Sequence, residues 1–537
     1  MTGRTFVRSV SLALFFALSF VLFPPGSPAA SPAHPPAEGV FRFPLFYVPA
    51  GLDPVRDSSE STAHVAQQVF DGLVAFDPKL RVVPGLAESW TVSKDGREYL
   101  FSLRKGVRFH DGSTFDARDV AASLTRIFRP ENSAQSTRFL DNIVGAEEFR
   151  KGEKDHVAGI RVISDYRIAI TLKRPYAPFL AALAMPLTKI VPSELAGDAD
   201  DSLSRHPVGT GPFRFVSWEK STITLKANDG YFLGKPSLRE VQFIFYPGGD
   251  RKKAFADFLK GDLEGSPLTG AAEPEDLRKR GYKVLIRPRL SLQFYGMNIH
   301  TPPFDNRLVR EALAHAFDRR YYVATVLGSK HYPAFQIIPP GMPGYTPDNA
   351  LLDYDPVKAA ALLAEAGYPG GAGLPELTIA TASRSNVAVK ELALFARDLA
   401  RLGIRVRPLF VKSWEEFSRG LEKKRYPLFR YAWYADIPDP DNFLSPLFES
   451  GGKANFTGFS DPEVDRLLDG ARSETDPTRR SEMYRKAERI ILEKAPVIPV
   501  LNIATSVAFQ GYVSGIDLPA IGTPYLPLRQ VRVSPGS

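Results

Sequence analysis

The sequence contains no cysteine at all. Disulfides, thiolate-held zinc, iron–sulfur clusters and thiol catalysis are excluded. So is a lipid anchor, which requires a cysteine at the processed N-terminus. Charge of one sign is not concentrated either. The 68 Lys and Arg are interspersed with 60 Asp and Glu, and the net +8 includes no basic block of the kind that grips nucleic acid. Enzyme signatures are missing too: there is no Gly-x-Ser-x-Gly, no Walker loop and no His-Glu-x-x-His, and the eight histidines are dispersed. A hydrolase is therefore a remote alternative, and no cofactor or metal is called for. Asp436, Asp439 and Asp441 imitate a calcium loop, but Pro438 and Pro440 spoil the spacing.

Long apolar runs are equally scarce. The one near the start, Val10–Phe23, is too short for a comfortable membrane span, and no later segment approaches the length of one. It follows Arg4 and Arg8 and precedes Ser27, Ala29, Ser31 and Ala33. Residues 1–33 thus read as a secretory signal cleaved between about Ala29 and Ala33. An exported chain without an anchoring cysteine fits a periplasm, where it diffuses freely without being lost.

What remains is an ordinary globular composition, 44% hydrophobic and 24% charged, in 537 residues. That length calls for two or three domains. Helix and strand patterns alternate, with hairpins between them, which indicates an α/β protein of mixed sheets. In residues 85–124, Trp90–Val92 and Tyr99–Leu103 alternate as strands around Lys94-Asp95-Gly96. A second turn at Asp111-Gly112 leads to Asp116, a good N-cap for a helix over Ala117–Phe128. His110 beside Asp111 looks catalytic, but the pair belongs to a structural turn. Ser59 or Ser61 caps a helix running to about Leu73, and Asp305-Asn306 caps another whose apolar face carries Val309, Ala312, Leu313 and Ala316. Gly367–Gly373 follows a helix and reads as a C-cap and loop.

The segment Leu428–Asn442, LFRYAWYADIPDPDN, begins as an aromatic strand and ends in a Pro/Asp turn. It carries Arg430 and Asp436. A charge in so apolar a run needs a partner. Either Asp436 forms an internal ion pair, for example with Arg430, or it faces a cavity with Trp433 and Tyr434 and awaits an external cation.

Taken together, these stretches resemble solute-binding family 5, the peptide- and nickel-type binding proteins of ABC importers. The resemblance rests on residues 85–124 (Ser-x-Asp-Gly, Phe-x-Leu-Arg-x-Gly-Val-x-Phe-His-Asp-Gly), on Gly209-Thr210-Gly211-Pro212-Phe213, on residues 296–318, and on Trp433-x-Ala435-Asp436 with Asp439-Pro440. It covers about residues 40 to 515. Ala432, where glycine is common in that family, is a departure. The resemblance implies a two-lobed periplasmic-binding-protein fold with hinged lobes. Lobe I collects 34–78, 207–297 and 496–537, an extra subdomain spans 79–206, and lobe II spans 298–495. The hinge falls near 296–299 and 494–500. It further implies a monomer that captures di- or oligopeptides and delivers them to ABC permease subunits. Asp436 holds the ligand's α-amino group, and Arg384 or Arg430 its carboxylate. Trp433 and Tyr434 form flat walls, and Ser58, Ser59 and Glu60 run beside the ligand. The alternative is a non-peptide ligand in the same fold: a nickel chelate, haem, an oligosaccharide, an opine or an antibiotic.

Overall fold

The computed structural model describes residues 37–132, 137–197, 201–270, 272–347 and 351–534. The expected secretory signal lies outside these residues.

Near the N-terminus Val40–Leu45 pairs in parallel with Glu240–Phe245, and Thr222–Ala227 and Phe213–Glu219 complete a four-stranded sheet. Phe41, Phe43, Val241 and Phe243 bury the sheet face against the helix Glu60–Val69 through Val65, Val69 and Phe70. Ser59 caps this helix by accepting from the Thr62 amide, so the helix starts at Glu60 and presents the residues just before it to solvent. A three-stranded sheet, Gly265–Pro267, Ala504–Phe509 and Lys283–Pro288, joins the same core through Val507 and Phe509.

The inserted region folds around its own core. Ala87–Val92, Glu98–Leu103, Arg167–Thr171 and Ile160–Ser164 form an antiparallel sheet. It is covered by the helix Ala117–Arg126, which Asp116 and Asp119 cap reciprocally. The motif residues here are fasteners. His110 Nε2 lies 3.0 Å from the Gly211 carbonyl, and the His110 amide donates to the Gly209 carbonyl at 2.9 Å. Gly209 and Gly211 pass so close to the end of the helix Glu60–Val69 that a Cβ at either would lie 2.1 Å and 2.5 Å from backbone oxygens of Val69 and Gln68. Only glycine fits that approach. Thr210 and Tyr231 both donate to the half-buried Asp71, closing the knot.

The largest sheet has six strands in the order Tyr332–Pro333, Val497–Asn502, Ser291–Met297, Leu428–Tyr434, Leu377–Thr381 and Val406–Phe410. Helices Arg307–Ala316, Asn386–Ala400, Asp441–Phe448, Pro462–Ser473 and Pro477–Lys494 surround it in one continuous core. The chain enters this sheet across Arg289-Leu290 and leaves it across Ile503 alone. The crossings expected near 296–299 and 494–500 fall at the end of Ser291–Met297 and at the start of Val497–Asn502. Ser291–Met297 and Val497–Asn502, which the sequence reading assigned to lobe I, are buried at every residue inside the large sheet. Their mostly apolar character, interrupted by Ser291, Gln293 and Asn502, suits strands covered on both faces. The two crossings touch: the Arg289 amide donates to Ile503 O at 2.8 Å, and the Ile503 amide donates to Ser291 Oγ at 3.0 Å. Among the described residues no helix is long and apolar enough to cross a membrane.

Candidate ligand-binding cleft

Leu428–Tyr434 sits in the interior of the six-stranded sheet, antiparallel to Ser291–Met297 and parallel to Leu377–Thr381. Its side chains alternate between the two faces. Arg430, opposite Tyr295, points into the large core. There it makes a bidentate pair with Glu391, Nε to Oε1 and Nη2 to Oε2, each at 2.9 Å. Gln293, Tyr295 and Tyr322 donate to the same carboxylate at 2.9, 2.9 and 2.8 Å. Glu391 is wholly buried. Arg430 thus already has a carboxylate partner inside the core, and it lines neither of the two cavities described below.

Asp436 follows the strand at the start of the Pro/Asp turn. Among the described residues its charged partner is not Arg430. Arg138, from the inserted subdomain, donates to Oδ2 at 2.9 Å, and both side chains remain about a third exposed, at 32% and 38%. Asn442 supports the carboxylate weakly from 3.5 Å and accepts from the Asp436 amide at 3.2 Å. Burial raises the Asp436 carboxyl above its ordinary pKa, against the opposing pull of Arg138 and Asn442. The carboxylate is therefore under-compensated, unlike that of Glu391. The neighbouring turn acids are fully committed, Asp439 to Arg480 and Asp441 to Arg472.

Beside Asp436 lies a cavity of about 220 Å³, lined also by Asp57, Ser58, Ser59, Glu60, Arg289 and Tyr525. Ser58, Ser59, Glu60 and Asp436, distant in sequence, thus meet in one hollow. Ser59 serves in addition as the helix cap. On the other side of the Arg138–Asp436 pair is a larger cavity of about 680 Å³. Arg138, Lys173, Arg174 and Tyr176 of the subdomain line one wall of it, and Asp441, Asn442, Glu449, Lys453 and Arg472 the other. The two walls also touch directly: the Ala177 amide donates to Arg472 O at 2.7 Å, and Ile437 is buried in the subdomain core.

Trp433 donates its indole N–H to Asn442 O at 2.7 Å, and its ring lies 5.5 Å from the Arg138 guanidinium. Tyr434 is exposed, with the Arg289 guanidinium 4.9 Å from its ring centre. Arg384 is exposed, donates to Phe410 O at 2.9 Å and lines neither cavity. The structure therefore does not bring Arg384 to Asp436. Two arginines that the sequence did not single out, Arg138 and Arg289, flank Asp436. Arg289 carried a partial signal, a cation in the short link between two strands; Arg138 carried none.

An open groove between a lobe and a subdomain, two adjacent crossings and an under-compensated carboxylate define a two-lobed solute-binding protein. Residues 81–455 match the bacterial extracellular solute-binding proteins, family 5 middle region, and the chain belongs to that family. The glutathione-binding protein GsiB of Salmonella paratyphi A is 30% identical over 461 residues, 84% of this chain and 86% of that protein. Di/tripeptide-binding protein 2 of Pseudomonas aeruginosa is 32% identical over 478 residues, 84% and 88% of the two chains. Among solved structures, HbpA2 of Haemophilus parasuis superposes with a TM-score of 0.80 at 26% identity, covering 92% of this chain and all of that one.

Proposed function

We propose that this chain is the periplasmic binding component of an ABC importer that captures short peptides by lobe closure and delivers them to permease subunits. It acts as a monomer without catalysis. Asp436 carries the reading: its carboxylate borders a cavity, stands above its ordinary pKa, and among the described residues is paired with an arginine that is about a third exposed. A primary ammonium is the complementary ligand group, because it satisfies the carboxylate with charge-assisted hydrogen bonds in a dry cleft. Relatives named for di/tripeptides and glutathione support a peptide as its bearer. Closure would pivot on Arg289-Leu290 and Ile503, where a few backbone torsions absorb the motion. Lobe II, in this reading, begins at Ser291 and ends at Asn502. A neutral sugar would leave the charge of Asp436 without a ligand cation.

The test is calorimetry with trialanine and glutathione, each free and N-acetylated. The free forms should bind and the acetylated forms should be strongly disfavoured. Equal binding of both forms would remove the amine-anchoring role and favour a non-peptide ligand.

A further inference from the structure

We propose that Arg289, at the crossing between the lobes, receives the carboxylate of the ligand whose amine Asp436 holds. This rests on the peptide reading above and adds the second anchor to it. Arg289 is half-buried, yet among the described residues its guanidinium makes no hydrogen bond and has no carboxylate within 4 Å. Other buried or half-buried arginines have carboxylate partners: Arg126 with Asp53, Arg430 with Glu391, Arg472 with Asp441 and Glu449, and Arg480 with Asp439. Arg138 already holds Asp436. Among the described residues that line the cavity beside Asp436, Arg289 is the one cation.

Its position is built. The Arg289 amide donates to Ile503 O at 2.8 Å, and the next amide, of Leu290, donates to Ala520 O at 2.8 Å. The guanidinium lies 4.9 Å from the Tyr434 ring centre, and Gly522 makes room for it, since a Cβ there would lie 3.2 Å from Nη2. Stacking on a ring leaves the planar N–H edge free, and that edge matches a carboxylate bidentately. A ligand bridging Asp436 of one lobe and an arginine on the crossing itself would report its length to the hinge. A free amine and a free carboxylate would then both be needed.

The experiment measures affinities of dialanine, trialanine and glutathione, and of the C-terminal amides of the two alanine peptides. Wild type, Arg289→Gln and Arg289→Lys are compared, with thermal unfolding of each ligand-free protein as the folding control. Wild type should prefer the free acids over the amides by about tens to thousands of times, the range for stranding one partner of a buried charge pair. Arg289→Gln should lose that preference, and Arg289→Lys should retain part of it, because lysine keeps the charge but not the fork. N-acetylation should remain unfavourable in both variants. If Arg289→Gln folds and still discriminates acid from amide, Arg289 is not the acceptor, although the peptide reading stands. If wild type binds none of the free peptides, the peptide reading falls and this assignment with it.

Discussion

Replacing Asp436 by asparagine separates its two partners, the internal Arg138 and an external amine. In the ligand-free chain the Arg138–Asp436 contact spans 2.9 Å between side chains a third exposed. Pairs so hydrated contribute about 0–1 kcal/mol. Burial already holds the Asp436 carboxyl above its ordinary pKa, which subtracts from that contribution. Asp436→Asn should therefore change stability by less than about 1 kcal/mol. The bound state differs, because closure removes water from both charges. Stranding a ligand ammonium there costs about 2–5 kcal/mol. At about 1.4 kcal/mol per tenfold, affinity should fall by tens to thousands of times. The assay is titration calorimetry of trialanine and N-acetyl-trialanine on both proteins, with thermal unfolding of each. Wild type should discriminate between the two peptides, and the variant should not. A pH dependence accompanies it: binding needs the carboxylate, so wild-type affinity should decline as pH falls through the raised pKa, while the variant stays flat. A variant that loses several kcal/mol of stability but keeps both affinity and discrimination would refute the reasoning.

Three other outcomes follow from the structure. Glu391→Ala leaves the Arg430 guanidinium buried and unpaired, so it should cost about 3–5 kcal/mol in denaturant unfolding. Arg430→Met paired with Glu391→Met should recover much of that loss, with ligand discrimination unchanged. Glu488 is buried, accepts from the Ile337 and Ile338 amides at 2.8 and 2.7 Å, and has its pKa raised to about 7 by burial. Its contribution is fully present below the ordinary glutamate pKa and is lost as pH rises through about 7. Glu488→Gln keeps an acceptor without the charge, so its Tm relative to wild type should rise as pH goes from the ordinary glutamate range to about 7 and level off above that. Saturating ligand should lower the radius of gyration modestly in small-angle scattering, since closure pivots on Arg289-Leu290 and Ile503; an unchanged radius with a tight ligand bound would contradict the jaw.

The local elements were legible because their signals are local. Asp116 and Asn306 cap helices that start where the caps placed them, and Leu428–Tyr434 is a strand. Asp436 was legible as an acid that needed a partner. Its partner Arg138 was not, because 298 residues separate them and only tertiary packing unites them. The same holds for Arg430: its cost in an apolar strand was readable, but Glu391 as its partner was not, since a helix-borne acid gives no sign of facing inward. Where one sheet passes to the next was hard to read, because Ser291–Met297 and Val497–Asn502 lie only one or two residues from the strands of the neighbouring sheet.

The central claim is that the cleft takes a zwitterionic peptide. Native mass spectrometry of the protein isolated gently from its own cells tests this most directly, because a closed cleft retains its cargo. The account predicts a bound mass in the range of short peptides, released on unfolding and sequenced as chains with free amino termini. A retained sugar, haem or metal chelate in its place would contradict it.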